Sequence, residues 1–157
     1  MEKNELFLKT PRLVLRPFEE ADGAALYAML SDPMTVRFEP YPPFSLEEAE
    51  KEAAERAKNP DFSAVCLHDG TVIGSLFFTE CAFCGAELAY LFDRRFWGHG
   101  YATEAARARI TYAFEKTDVR RVVAMCDPEN VRSWKLMERI GMHREGRLIK
   151  NLPILLI

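Results

Sequence analysis

Apolar positions along this chain change period several times, and each change marks an element. Arg12 to Arg16 (Arg-Leu-Val-Leu-Arg) alternates like a half-buried strand and is stopped by Pro17. From Glu19 to Leu30 the residues Ala25, Leu26, Met29 and Leu30 fall near one helical face, until Ser31-Asp32-Pro33 breaks it. Glu39-Pro-Tyr-Pro-Pro-Phe44 is a proline-rich loop running into Ser45-Leu-Glu-Glu48, a capping box that opens a charged helix through about Lys58. Phe62 to Leu67 and Val72 to Thr79 are β-type runs about a His68-Asp69-Gly70 turn. Ala86 to Phe92 is a third run, with Glu87, Ala89 and Leu91 on one face and Leu88, Tyr90 and Phe92 on the other. The period then returns to helical over about Tyr101 to Lys116, on a stripe of Ala102, Ala106, Ile110, Ala113 and Phe114. Val119 to Cys126 reads as a buried strand, and Asn130 to Ile140 as a short helix ended by Gly141.

The 157 residues amount to one domain, 1–157, with no repeat, low-complexity tract or linker. Its 48% hydrophobic and 29% charged content argues against a disordered tail or a membrane span. The opening MEKNELFLKT puts Glu and Lys where a secretory signal needs an apolar stretch, which leaves a cytoplasmic location as the expectation. A net charge of −3, with basic residues scattered along the sequence, argues against a protein that works on nucleic-acid phosphates. Cys81 and Cys84 form one C-x-x-C, without a second pair; the expectation for Cys66, Cys81, Cys84 and Cys126 is four reduced, mostly buried thiols and no metal site.

Arg95-Phe-Trp-Gly98-His-Gly100-Tyr-Ala102 carries the chemistry. Two glycines stand between a strand and a helix, where bare backbone approaches an anion closely and unpaired N–H groups favour phosphate. A Walker loop is excluded by the lack of Gly-Lys-Ser/Thr. A dinucleotide fingerprint needs glycine where Thr103 stands and an acid after the next strand, whereas Asp118 precedes that strand.

Arg95-x-x-Gly98-x-Gly100 resembles the acetyl-coenzyme A loop of the GNAT superfamily of N-acetyltransferases. Thr10-Pro-Arg-Leu-Val-Leu-Arg-Pro17, Glu87-Leu-Ala-Tyr-Leu91, Trp97-Gly-His-Gly-Tyr-Ala-Thr-Glu-Ala105 and Asn130-x-x-Ser133-x-x-x-Met-Glu-Arg-Ile-Gly-Met142 resemble the RimJ/RimL-like branch, which acetylates ribosomal-protein N-termini. The resemblance implies an α+β fold with a mixed, mostly antiparallel central sheet and helices on both faces. It also implies acetyl-coenzyme A as cosubstrate. Amides from Arg95 to Gly100, extended by Tyr101, Ala102 and Thr103, would hold the pyrophosphate, with added charge from Arg95. The pantetheine arm would lie along Tyr90, Leu91 and Phe92, helped by Asn130, in a cleft between splayed strands. Trp97 reads as packing, against the cofactor, and His99 as facing cofactor or solvent; His143 follows the last helix toward a strand edge.

Direct attack by a neutral amine needs a proton acceptor, since an α-amine of pKa about 8 is mostly charged at neutral pH. Glu87 is the candidate base, acting directly or through water, and an ion-paired surface carboxylate is the other reading. An N–H near Phe92 would meet the oxyanion. Where many members place an acidic tyrosine this chain has Met137, so Ser133 is the candidate donor to the leaving sulfur, or positions the cofactor and caps the helix. The acceptor would be a primary amine, a protein N-terminus or a small molecule, bordered by Glu39 to Lys58, where Glu39, Glu47 and Glu48 suit a cation. An acyl-coenzyme A-binding module without turnover is the alternative. Sixteen residues follow Gly141, fewer than in family members that end in two further strands, so the last strand is expected short or missing. Apolar Leu152 to Ile157 is expected to pack on the domain or on a partner chain, as in a homodimer.

Overall fold

The computed structural model describes residues 6–148. Six strands, β1 (Leu8–Lys9), β2 (Leu13–Arg16), β3 (Phe62–Leu67), β4 (Val72–Cys81), β5 (Gly85–Phe92) and β6 (Arg121–Val123), lie side by side in chain order. All neighbours are antiparallel except β5 and β6, which run parallel. Helices α1 (Gly23–Leu30) and α2 (Leu46–Lys58) interrupt the meander between β2 and β3; α3 (Tyr101–Lys116) and α4 (Val131–Arg139) flank β6.

Strand alternation gives the sheet two apolar faces, each covered by a helix pair. Leu13, Leu15, Ile73, Leu76 and Leu88 meet the small residues Ala105, Ala106 and Ala113 of α3 and Leu136 of α4. Ala64 and Cys66 face Leu26, Met29 and Leu30 of α1 and Ala49 and Ala53 of α2. The expected capping box opens α2: the Glu48 amide donates to Ser45 Oγ at 3.2 Å and the Ser45 amide to Glu48 Oε2 at 2.9 Å. Arg56 of α2, 8% exposed, donates to Glu52 Oε1 at 2.7 Å and Ser75 Oγ at 2.8 Å, fastening the helix to the sheet.

Several expected boundaries move, each for a local reason. The helix expected from Glu19 begins as a 3-10 turn over Glu20–Asp22, because Arg16 grips both Asp22 oxygens at 2.8 and 2.9 Å and the Glu19 amide donates to the same carboxylate. The strand expected over Val119 to Cys126 contracts to β6, which pairs only with Gly85–Glu87. On α3 the buried positions are Thr103, Ala105, Ala106 and Ala113, while Phe114 turns outward and is 47% exposed. Of the thiols, Cys66 is buried and Cys126 half-buried, but Cys81 and Cys84 are exposed at the tip of the β4–β5 hairpin, where no core exists to cover them. His143 lies in no strand, and 142–148 contain none; Leu152 to Ile157 lie outside the described residues. No helix among the described residues is long and apolar enough to cross a membrane.

Candidate active site

β5 keeps its partner β4 along its whole length, to the pair Gly74–Phe92, but loses β6 after Glu87. Leu88 to Phe92 therefore have an open edge on one side. The Asp93 amide donates to Ile73 O at 2.9 Å, toward β4. Strand alternation then turns the N–H groups of Tyr90 and Phe92 to the open edge. Trp97 closes part of it, its Nε1–H donating to Phe92 O at 2.8 Å. Gly74 makes this strand pair tight: a Cβ there would stand 2.5 Å from the Phe92 ring.

The chain leaves β5 through a 3-10 turn, Arg94–Phe96, and enters α3 across Gly98 and Gly100, whose φ of 81° and 77° place both in the left-handed region. From Gly98 to Thr103 no amide donates to a backbone acceptor among the described residues; the first helical bond runs from Glu104 N to Gly100 O. Six successive donors thus converge at the positive end of a 16-residue helix. A Cβ at Gly98 would have nothing within 4 Å, so the cradle is open to a ligand. These features fit a diphosphate.

The cradle is latched from the turn between β1 and β2. Glu104 Oε1 accepts from Thr10 Oγ1 at 2.6 Å and the Arg12 amide at 3.0 Å, Oε2 accepts from Arg12 Nε at 2.7 Å, and Arg12 Nη1 donates to His99 O at 2.8 Å. The Arg12 guanidinium also lies 4.6 Å from the Tyr101 ring centre. Burial opposes ionisation of Glu104, but the bonds from Thr10 and Arg12 outweigh it and hold the carboxyl below its usual range.

A cavity of about 1540 Å³ joins the open edge, the cradle, α4 and the α1–α2 loop. Cations scattered in the sequence meet on its wall: Arg12 from the β1–β2 turn, Arg107 from α3, and Arg132, Lys135 and Arg139 from α4. A chain of net charge −3 so presents a locally positive groove where phosphates would lie. Across the open edge, Tyr90 O–H reaches Ser133, 2.9 Å from its Oγ and 3.0 Å from its carbonyl. Burial pushes the Tyr90 phenol up to about 12, against the opposing bond to Ser133. Asn130 caps α4, its Oδ1 accepting from the Ser133 amide at 3.3 Å. On the far wall, the α1–α2 loop contributes Met34, Thr35, Arg37, Phe38 and Glu39.

The sequence pattern of the acetyltransferase (GNAT) domain family matches residues 12–143. This chain is a GNAT acetyltransferase. It is similar to a Bacillus subtilis (strain 168) protein named uncharacterized N-acetyltransferase YnaD, at 32% identity over 94% of this chain and 89% of that protein. Among solved structures it resembles a GNAT-family acetyltransferase from Bacillus anthracis, with TM-score 0.89 and 31% identity over 94% of this chain and 90% of the other. It also resembles a Vibrio cholerae protein proposed as a ribosomal-protein-serine acetyltransferase, with TM-score 0.80 and 29% identity over 90% and 85%. The six-stranded sheet and paired helices are the GNAT fold.

In this acetyltransferase the expected site residues fall into two groups. Tyr90, Leu91, Phe92, Trp97, Gly98, Gly100, Tyr101, Ala102, Thr103, Asn130 and Ser133 all line the cavity. Arg95, His99 and Glu87 are not on its wall. Arg95 is engaged with Asp93, its Nη2 donating to Oδ2 at 2.7 Å, and His99 contributes its carbonyl to the latch. Glu87 stands at the last β6-paired position, on the sheet face opposite Tyr90. The Arg12–Glu104 latch and the gathered cations escaped sequence reading, although both latch residues lie in the motifs Thr10-Pro-Arg12 and Ala102-Thr-Glu104. Among the described residues no cluster of three or more His, Cys, Asp or Glu side chains is arranged to hold a metal.

Proposed function

We propose that this acetyltransferase uses acetyl-coenzyme A to acetylate a primary amine, foremost a protein N-terminal α-amine. The observation that carries the reading is the run of unpaired amides from Gly98 to Thr103 beside the open edge of β5. The first suits a diphosphate and the second an extended arm bearing amides. When bound, acetyl-coenzyme A supplies an activated acyl carbon to the amine.

The chain's own residues would then act as follows. The amides of Gly98 to Thr103 hold the diphosphate, and Arg132, Lys135 and Arg139 offset its charge. Tyr90 and Phe92 present strand amides to the arm, and the Phe92 N–H is placed to receive negative charge developing on the acyl oxygen. Ser133, oriented by Tyr90 and by the Asn130 cap, offers a hydroxyl at the cleft to a departing thiolate. Glu87, absent from the cavity wall, would reach the amine only through water. The description of the Vibrio cholerae neighbour supports an N-terminal serine as the first acceptor to try. Exposed, unpaired Cys81 and Cys84 suit a reducing compartment, and on that ground we assign the enzyme to the cytoplasm.

The test is release of free thiol from acetyl-coenzyme A with peptides bearing serine, alanine or methionine at a free N-terminus, the same peptides N-blocked, and spermidine. Turnover with free but not blocked peptides is expected. Tight binding of acetyl-coenzyme A without turnover on any amine would overturn the reading in favour of a binding module.

A further inference from the structure

A carboxylate other than Glu87 stands on the acceptor side of the cavity. We propose that Glu39, in the α1–α2 loop, is a catalytic carboxylate of this acetyltransferase, receiving the acceptor's ammonium group and taking its proton. The inference rests on the acetyltransfer reading above.

Placement comes first. Glu39 and Leu91 line the same cavity. Leu91 pairs with Ser75 across β4 and β5, Ser75 Oγ accepts from Arg56 Nη1 at 2.8 Å, and Arg56 and Tyr41 are the groups that face the Glu39 carboxylate. This chain of neighbours sets Glu39 over the sheet at the height of Leu91, next to Phe92, where the open edge gives access to the reacting centre. Glu87 lies on the same face as Leu91 but four residues back along β5, about 13 Å at the rise of a strand. Glu39 is on the cavity wall and Glu87 is not, so Glu87 needs a relay that a carboxylate on the wall does not.

Electrostatics come second. Burial raises the Glu39 pKa from its ordinary value, against the neighbouring Tyr41 hydroxyl and the Arg56 charge, which both lower it. Arg56 does not quench Glu39, because its Nε is bound to Glu52 at 2.7 Å. The other charged groups are Arg37 of the same loop, whose guanidinium lies 5.1 Å from the Phe38 ring centre, and Glu52 beside Tyr41, which is already paired with Arg56. A carboxylate whose pKa is raised by burial is a stronger base than an exposed one, and its negative form draws in a cation. In the step itself the nitrogen lone pair forms the N–C bond and the C–S bond breaks with its electron pair on sulfur. Of the two protons the ammonium nitrogen loses, the first passes to Glu39 and on to water before attack, and the second ends on the departing thiolate.

The experiment compares wild type, Glu39→Gln, Glu39→Asp and Glu87→Gln, with a basic decapeptide starting in serine as probe. Coenzyme A affinity by calorimetry and the melting temperature should be the same in all four. At pH 7 the kcat of Glu39→Gln is expected to fall about 100-fold, the scale of a lost general base, with partial recovery in Glu39→Asp and a smaller fall in Glu87→Gln, whose carboxylate acts only through water. Rate against pH should change shape: the wild type is already near its plateau at neutrality, whereas Glu39→Gln climbs with the free amine through a pKa of about 8. Calorimetry with the coenzyme A-loaded protein should show the free peptide bound about 10-fold more weakly by Glu39→Gln, and the N-blocked peptide unaffected. If the wild type turns over but Glu39→Gln keeps its rate and profile, or loses rate only together with thermal stability, Glu39 is structural and the inference falls alone. If the wild type acetylates no amine, the inference and the acetyltransfer reading fall together.

Discussion

Replacing Glu104 with glutamine tests whether the cofactor cradle is held in shape from outside. The change keeps side-chain volume but removes the charge that accepts three hydrogen bonds, from Thr10 Oγ1, the Arg12 amide and Arg12 Nε. Each bond to an ionised group contributes on the order of 1.5–3 kcal/mol where it is shielded from water. Here Arg12 is 46% exposed, so solvent screening discounts the ion pair, and an amide oxygen retains part of the remainder. A net loss of about 2 kcal/mol follows, worth roughly 4–8 °C of melting temperature in a chain of this size. Binding should suffer as well: once Arg12 no longer holds His99 O, ordering the loop costs about 1–2 kcal/mol per residue fixed. About 2 kcal/mol of such ordering weakens coenzyme A binding about 30-fold, measurable by calorimetry. The pH dependence has a definite sign. Glu104 has a folded pKa below its ordinary 4.5, so its contribution is complete above that value and is lost as pH falls through the folded value. The difference in melting temperature between wild type and Glu104→Gln should therefore narrow as pH falls from 4.5 through the lowered folded value. A Glu104→Gln protein that melts with wild type at pH 7 and binds coenzyme A within about two-fold would show that the latch does not shape the cradle.

Gly74→Ala places a methyl 2.5 Å from the Phe92 ring, and urea denaturation should show a loss of about 1–3 kcal/mol from overpacking. Gly98→Ala and Gly100→Ala both incur the left-handed backbone penalty of roughly 1–2 kcal/mol, but only the former puts its methyl into open space at the cradle. Equal losses in urea with a larger loss of coenzyme A affinity for Gly98→Ala are expected; the reverse ranking would mean that ligand does not approach at Gly98. Tyr90→Phe removes the bonds to Ser133 and should cost about 1 kcal/mol in the same assay. With its phenol held up to about 12, Tyr90 favours folding below the unfolded pKa of about 10 and loses that effect as pH rises toward 12, so its ultraviolet ionisation step should be absent up to about pH 11.

What could be read in advance depended on the range over which each feature is encoded. The α2 capping box, the β3–β4 turn and the glycine pair of the cradle are set by residues within four positions of one another, and all appear where the pattern places them. The termination of β6 is different. Val119 to Cys126 has the composition of a longer strand, but its pairing depends on where β5 and the start of α4 lie, which no local period records. The groove's positive charge was invisible for the same reason: Arg12, Arg107 and Arg132 are far apart in sequence, and only the packing of β2, α3 and α4 on one sheet face gathers them. Asp22 illustrates a third case, in which a side chain competes with the helix. Its grip on Arg16 and on the Glu19 amide converts the first turn of a legible helix into a 3-10 turn. Cys81 and Cys84 were misjudged because thiols are usually buried, whereas a hairpin tip offers them nothing to be buried against.

The open edge of β5 and the amides of Gly98 to Thr103 share one physical origin. In both places the backbone has unpaired donors that a sheet or helix would ordinarily satisfy: β6 stops short of Leu88, and the first turn of α3 has nothing before it to accept. Had β6 continued along β5, the pairing would have sealed the cleft; had the glycines been residues that favour α-helix, the helix could have extended backward and consumed the cradle's donors. Tyr90 and the Arg12–Glu104 pair hold these two regions without occupying them, the first by bonding across the open edge to Ser133, the second by gripping the carbonyl side of the loop while leaving its amides outward. On the proposed reading, recognition in this acetyltransferase would be carried mainly by main-chain donors, with side chains setting where those donors point. It follows that substitutions at the latch and at the glycines should alter affinity for the acyl carrier, whereas substitutions at Glu39 should alter what happens to the amine.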